Sequence, residues 1–144
     1  MLSSLGNLLI STSILLSFYL IYCSLKEINS KNIQVLPKLL KLSFLQLLFI
    51  SLSFVTLLIG YIISDFSLIN VYENSHTTKP LFYKISGVWG NHEGSLLLWI
   101  NILVIFSFLF LFQSKNKNKN FKVFTLIFQN LLISIFFVFL LTNS

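Results

Sequence analysis

The chain contains no arginine, a single cysteine, two prolines and only four acidic residues among its 144 positions. The lone Cys23 excludes an internal disulfide, a Cys-x-x-Cys-His haem-attachment motif and any multi-cysteine metal site. Charged residues make up 10% of the chain, where an average soluble domain carries about 25%. What is present instead is apolar: the hydrophobic fraction is 56% and the mean hydropathy +0.87. A soluble core of this length could not bury so many Phe, Leu and Ile side chains, so the natural solvent is lipid. The net charge of +6 comes entirely from lysine. These lysines cluster between apolar runs rather than forming a groove-like patch, which argues against nucleic acid as a partner.

The apolar runs define the architecture. Their uncharged cores cover residues 5–25, 42–63, 96–112 and 123–141. Each has the length of a membrane helix, which needs about 20 residues to cross about 30 Å of hydrocarbon. A charge at mid-span would cost about 2.5–3.5 kcal/mol on insertion scales, and none occurs. The first run lacks a basic start and a small-x-small cleavage site, so it reads as a retained helix rather than a signal peptide. The expected fold is all-α and polytopic. One membrane domain, 1–144, contains helices at about 5–25, 42–63, 94–112 and 121–141, with a long ordered outer loop at about 64–93 between the second and third.

Lysine positions set the expected direction. Lys26, Lys31, Lys38 and Lys41 flank the first connection, and Lys115, Lys117, Lys119 and Lys122 the third. The positive-inside rule puts both on the cytoplasmic or matrix side, leaving the termini and loop 64–93 opposite. "KNKNKN", residues 115–120, reads as a solvated topology anchor, or as a contact to acidic lipid worth about 1 kcal/mol per lysine. Pro37 suits the first turn of the second helix. Within the spans, Gln46, Asn101, Gln129 and Asn130 should turn towards protein, because polar groups in a bilayer hydrogen-bond across helices.

The outer loop is too apolar to be disordered. "SLINVYENS" is expected as a short extended piece ending in a turn, and "KPLFYKISGVW" as an interfacial amphipathic segment with its aromatics at headgroup level. "GVWGNHEGSLLLWI" follows. Asn91 is expected to cap the third long helix by accepting from the N–H of Gly94. His92 and Glu93 then fill the first turn, where the dipole favours the anion and disfavours a protonated imidazole. Gly87, Gly90 and Gly94 permit tight turns and close backbone approach. His92, Leu96 and Trp99 share one helical face by spacing.

"HEGSL" is not a zinc-protease signature, since the second histidine is missing, and no metal site is expected. A structural His92, a loop-bonded Glu93, tryptophans serving as belt anchors and an exposed His76 are the plain alternatives to chemistry, and no catalytic residue is assigned. A stand-alone enzyme would need more convergent polar groups than four spans supply.

The motifs carry a resemblance. "VWGNHEGSLLLW" resembles the W-G-x-H-E-G-S-x-L-L-W stretch of the CcmF family, the haem lyase component of cytochrome c maturation. "LGNLLI", the D-F, V-x-x-N-S and P-x-x-Y-x elements of the outer loop, and the closing "LLTNS" resemble that family in order and spacing. The family's W-x-W-x-W-D segment and haem-ligating histidines lie beyond the region matched, so no ligand role passes to His76 or His92. The resemblance implies a separately encoded N-terminal subunit of a split haem lyase, which attaches haem to apocytochrome c. Haem would be handled by the assembled complex, not by this chain alone. Trp89, His92 and Trp99 are the candidates for a haem-facing surface, with Gly90, Asn91, Glu93, Gly94 and Ser95 as motif residues that shape it. The implied partners are companion chains bearing the tryptophan-rich segment, a haem-delivery component, apocytochrome c and the bilayer. Splitting, together with the Asn-, Lys- and Ile-rich, arginine-free composition of A/T-biased coding, implies the mitochondrial inner membrane. The outer loop and termini would face the intermembrane space, equivalent to the bacterial periplasmic side. The competing reading is a small structural membrane subunit of a respiratory complex.

Overall fold

The computed structural model describes residues 2–28, 35–114 and 118–143. Lys31, Lys115 and Lys117 lie outside them. The described residues form six helices: α1 (Leu2–Ile28), α2 (Val35–Ile63), α3 (Ile69–Asn74), α4 (Leu81–Gly87), α5 (His92–Gln113) and α6 (Lys119–Asn143). Four of these, α1, α2, α5 and α6, are long and apolar enough to cross a membrane. The shortest of the four, α5 with 22 residues, spans about 33 Å at 1.5 Å per residue, enough for a hydrocarbon core.

The long helices extend past the apolar runs because their ends are polar rather than broken. Lys38 and Lys41 lie within the first turns of α2, and Lys119 and Lys122 begin α6. Pro37 is the third residue of α2, where its missing N–H costs nothing.

The helices pack in a closed ring: α1 against α2, α2 against α5, α5 against α6, and α6 back against α1. Up-down-up-down order favours this arrangement, since sequential long helices become antiparallel neighbours. Two apolar clusters fill the interior. One, towards the end that carries the α2–α5 connection, called the outer end for the loop it bears, gathers Ile50, Leu97, Ile100, Val104, Ile133 and Phe137. The other, towards the lysine-rich end, gathers Leu20, Leu39, Leu111, Val123 and Leu126. Large apolar residues such as Leu15, Phe18, Phe106 and Phe128 are left exposed on the outside. That is the inverse of a soluble bundle and the pattern expected of one solvated by lipid.

The polar residues of the spans point inward, as their chemistry requires. The amide of Gln46, fully buried, donates to Ser17 Oγ at 2.6 Å and joins α2 to α1. Ser51 donates to Asn101 Oδ1 at 3.1 Å and joins α2 to α5. Asn130 is fully buried in α6 and donates to the Leu126 carbonyl. Gln129 is only half-buried, although its side-chain oxygen is shielded from solvent.

The segment between α2 and α5 differs from the sequence expectation. "SLINVYENS" is not extended: Ile69–Asn74 is helical. Val71 and Ser75, one turn apart, are buried against the bundle end, and helix lets both face inward. β-branched residues suggest a strand only where a neighbouring strand offers a ladder, and the described residues contain none. "LFYKISG" likewise forms helix, with Pro80 immediately before it and α4 resting against α2.

The turn leaving α2 is a Schellman motif. Asp65 N donates to the Gly60 carbonyl at 2.9 Å and Ser64 N to the Tyr61 carbonyl at 3.3 Å. Ser64 holds the left-handed position with φ 56°, a place usually given to glycine. Its hydroxyl accepts from Lys84 Nζ at 2.6 Å, which ties the strained turn to α4.

Candidate functional site

The outer end of the bundle carries the motif residues. Three segments converge there: the last turns of α2, the α3 segment and the start of α5. Tyr61, buried in α2, donates its hydroxyl proton to Asn70 Oδ1 at 2.7 Å. Asn70 Nδ2 donates to Asn91 Oδ1 at 3.0 Å, and Asn91 Nδ2 donates back to the Tyr61 hydroxyl at 2.7 Å. The three side chains thus form a closed ring of hydrogen bonds in which each donates and accepts. Asn70 also donates to Glu93 Oε2 at 2.7 Å, and Asn91 to the Gly87 carbonyl at 3.0 Å. A half-buried ring satisfied in this way fixes all three side chains at once, because each bond holds the donor or acceptor of the next.

The N-cap expected at Asn91 is present. Gly94 N donates to Asn91 Oδ1 at 2.7 Å, from an extended Asn91 backbone. Glu93 is the acid of the first turn, where the helix dipole favours it. The glycines serve close approach rather than left-handed turns: none has a positive φ. At Gly94 a Cβ would collide with the Val88 carbonyl oxygen, so only glycine admits this crossing of backbone. At Gly87 a Cβ would sit 3.2 Å from the Tyr61 ring. At Gly90 it would approach the Ser86 carbonyl at 3.3 Å, and the Gly90 N–H donates to that same carbonyl. Ser95 closes the first turn of α5 by donating to the His92 carbonyl at 2.8 Å.

The remaining candidates are on the surface. Trp89 is 44% and Trp99 57% exposed, and His92 is exposed with its ring 5.6 Å from that of Phe139 of α6. Leu96 lies between His92 and Trp99 by spacing but is buried, so their shared face straddles the edge of the bundle. His76 is also exposed. No group of three metal-ligating side chains occurs among the described residues. On α3 and α4, Ile69, Tyr72, Phe82 and Tyr83 point outward and leave an apolar rim around the ring. Asp65 precedes α3, and hydrogen bonds from the Ser67 side chain and backbone hold its carboxyl below the usual range.

Tyr61 and Asn70 were not legible as site residues. Tyr61 reads as one more aromatic in an apolar run, and Asn70 as part of a strand-like stretch. The nearest signal was Asn91, whose cap role predicts a side chain turned inward but does not name its partners.

Comparisons place the chain among known proteins. No family model matches the chain. The cytochrome c-type biogenesis protein CycK of Bradyrhizobium diazoefficiens is 50% identical over 99 residues, 69% of this chain and 15% of that protein. The cytochrome c-type biogenesis protein CcmF of Haemophilus influenzae is 35% identical over 107 residues, 74% of this chain and 16% of that protein. The solved structure of the cytochrome c haem lyase CcmF superposes with a TM-score of 0.86 at 25% identity, over 95% of this chain and 23% of that one. The chain therefore spans about a sixth of the length of the curated relatives it matches. By sequence and by fold, the chain is a member of the CcmF/CycK family of cytochrome c-type biogenesis proteins, matching a fragment consistent with their N-terminal part.

Proposed function

We propose that this chain is the N-terminal membrane subunit of a split haem lyase that attaches haem covalently to apocytochrome c. The observation that carries the reading is the superposition of nearly the whole chain on the haem lyase CcmF, backed by relatives named for cytochrome c-type biogenesis. Companion chains would supply the W-x-W-x-W-D segment and the haem ligands. A haem-delivery component and apocytochrome c would be the further partners. The membrane would be the mitochondrial inner membrane, with loop 64–93 in the intermembrane space. The composition and the lysine distribution support this location, and the outer loop carries the motif.

The residues present do not enclose a haem. His76 and His92 both lie on the surface, and the cleft at the outer end holds about 250 Å3. Four helices closed by the Tyr61–Asn70–Asn91 ring instead make a rigid platform. In this reading Trp89, His92 and Trp99 turn an apolar, aromatic surface towards haem bound by a partner. Glu93 shapes the platform through Asn70, and no catalytic step is assigned to this chain alone.

Affinity purification of the tagged full chain from its native membranes tests the reading. It should recover a tryptophan-rich membrane partner and c-type cytochrome assembly factors. Recovery of respiratory-complex subunits alone would replace it with a structural role in such a complex. His92→Ala separates surface from chemistry: normal cytochrome c levels in that variant would remove His92 from any haem contact and leave the subunit role standing.

A further inference from the structure

The cleft at the outer end of the bundle, about 250 Å3, opens between the first turns of α1, the last turns of α2, the segment before α3 and the start of α5. At about 30 Å3 per water it holds roughly eight water-sized volumes, far too little for a macrocycle. Its polar lining is Asn7, Ser53, Thr56, Ser67, Asn70 and Glu93, while Ile10, Leu97 and Leu140 supply apolar wall. None of the lining residues is cationic.

We propose that this cleft receives one basic side chain, a lysine or arginine of a partner polypeptide on the outer face, with Glu93 as its counter-ion.

Two observations lead there independently. Glu93 is a half-buried carboxylate whose hydrogen bond comes from a neutral amide, Asn70 Nδ2 at 2.7 Å. The outer lysines are engaged elsewhere: Lys79 Nζ donates to the Asn74 carbonyl at 2.8 Å, and Lys84 Nζ to Ser64 Oγ at 2.6 Å. A half-buried carboxylate is best stabilised by a cationic partner, and the cleft lining supplies none. Separately, Ser53 lines the cleft, is 2% exposed, and its Oγ has no hydrogen-bond partner. A buried hydroxyl without a partner is destabilising, so a polar group entering the cleft relieves it. A long basic side chain answers both: its charged head pairs with Glu93, and the water it carries into the polar cleft brings a donor within reach of Ser53, deeper along α2. A phospholipid headgroup fits less well, because its phosphate would lie beside Glu93 with no cation in the lining to offset it. The inference needs only a partner on the outer face and does not depend on the haem lyase reading.

The test uses the full chain in nanodiscs, titrated with n-butylammonium and n-butylguanidinium and followed by methyl shifts of Leu97 and Leu140. Saturable binding is expected for both cations and not for the neutral n-pentanol. Glu93→Gln keeps the acceptor for Asn70 but removes the charge. It should weaken binding at least about tenfold, as loss of one member of a desolvated charge pair does. Ile10→Phe, which narrows the cleft and leaves Glu93 in place, should weaken binding likewise. Equal binding by Glu93→Gln, or equal binding of the alcohol, overturns the site. Affinity should be the same in phosphatidylcholine and phosphatidylethanolamine discs; competition by the latter would reassign the cleft to lipid. In native membranes, a photoreactive residue at Asn7 should give an adduct mapping to a lysine- or arginine-bearing segment of another polypeptide. An adduct confined to this chain overturns the partner assignment.

Discussion

The two ends of this bundle are closed by different chemistry. At the outer end, three neutral side chains from three segments, Tyr61, Asn70 and Asn91, form a ring of hydrogen bonds, and the backbone of Gly94 presses on that of Val88. At the lysine-rich end, α1 and α6 are joined by Glu27 and Lys119 at 3.7 Å, both partly exposed, above a cluster of aliphatic residues. A neutral ring depends on geometry and shape, so each member is irreplaceable. A partly solvated ion pair depends on charge, which water and salt attenuate. The outer end should therefore be brittle and the inner end forgiving.

Substitutions at four positions would break or sharpen that contrast. Gly94→Ala should be the most damaging, because its Cβ meets a backbone carbonyl that cannot rotate away. Displacing the crossing should cost about 3 kcal/mol or more, at the upper end of overpacking effects. Thermal unfolding in detergent measures it, and an unchanged midpoint would remove the steric argument.

Asn91→Ala comes next. It loses an N-cap worth about 1 kcal/mol and leaves Tyr61 and Asn70 short of partners, for a total of about 2–3 kcal/mol. Asn91→Asp restores the acceptor for Gly94 N, but it sets a carboxylate oxygen against the Gly87 carbonyl and beside Glu93, so it should lose at least as much as alanine. A milder loss in Asn91→Asp than in alanine would assign most of the effect to the cap.

Glu27→Gln at the opposite end should cost no more than about 1 kcal/mol, with the difference shrinking as salt rises. A salt-independent loss would mean that the pair is effectively buried. Gln46→Leu should be smallest. It loses the bond to Ser17, worth about 0.6 kcal/mol in such settings, but also removes a buried oxygen that has no donor. A net change within about 1 kcal/mol of zero is expected from paired unfolding measurements, and a large loss would show that a further donor serves that oxygen.

How much of this could be read in advance follows from the range of each interaction. Span existence depends on local composition, and all four candidate spans lie where the apolar runs are. The cap at Asn91 depends on residues three apart, and it forms as its spacing implies. The helical state of Ile69–Asn74 was not legible, because a six-residue segment has no decisive period and its fate is set by the surface beneath it. The ring of Tyr61, Asn70 and Asn91 was not legible either. Its members are 9 and 21 residues apart along the chain, and an asparagine in a loop carries no mark of its distant partner.

By itself, then, the amino-acid order determined the solvent of this protein, the number of its candidate spans, the start of α5 and the resemblance that names its family. The first three rest on hydropathy or on contacts within a turn or two, and the resemblance rests on the order and spacing of short motifs. Only the tertiary structure decided that Gly94 is a steric necessity, that Glu93 answers to Asn70, and that one cleft is lined by both an acid and an unpartnered serine. Those facts require the close approach of segments distant in sequence, which the packing of the whole ring of helices sets.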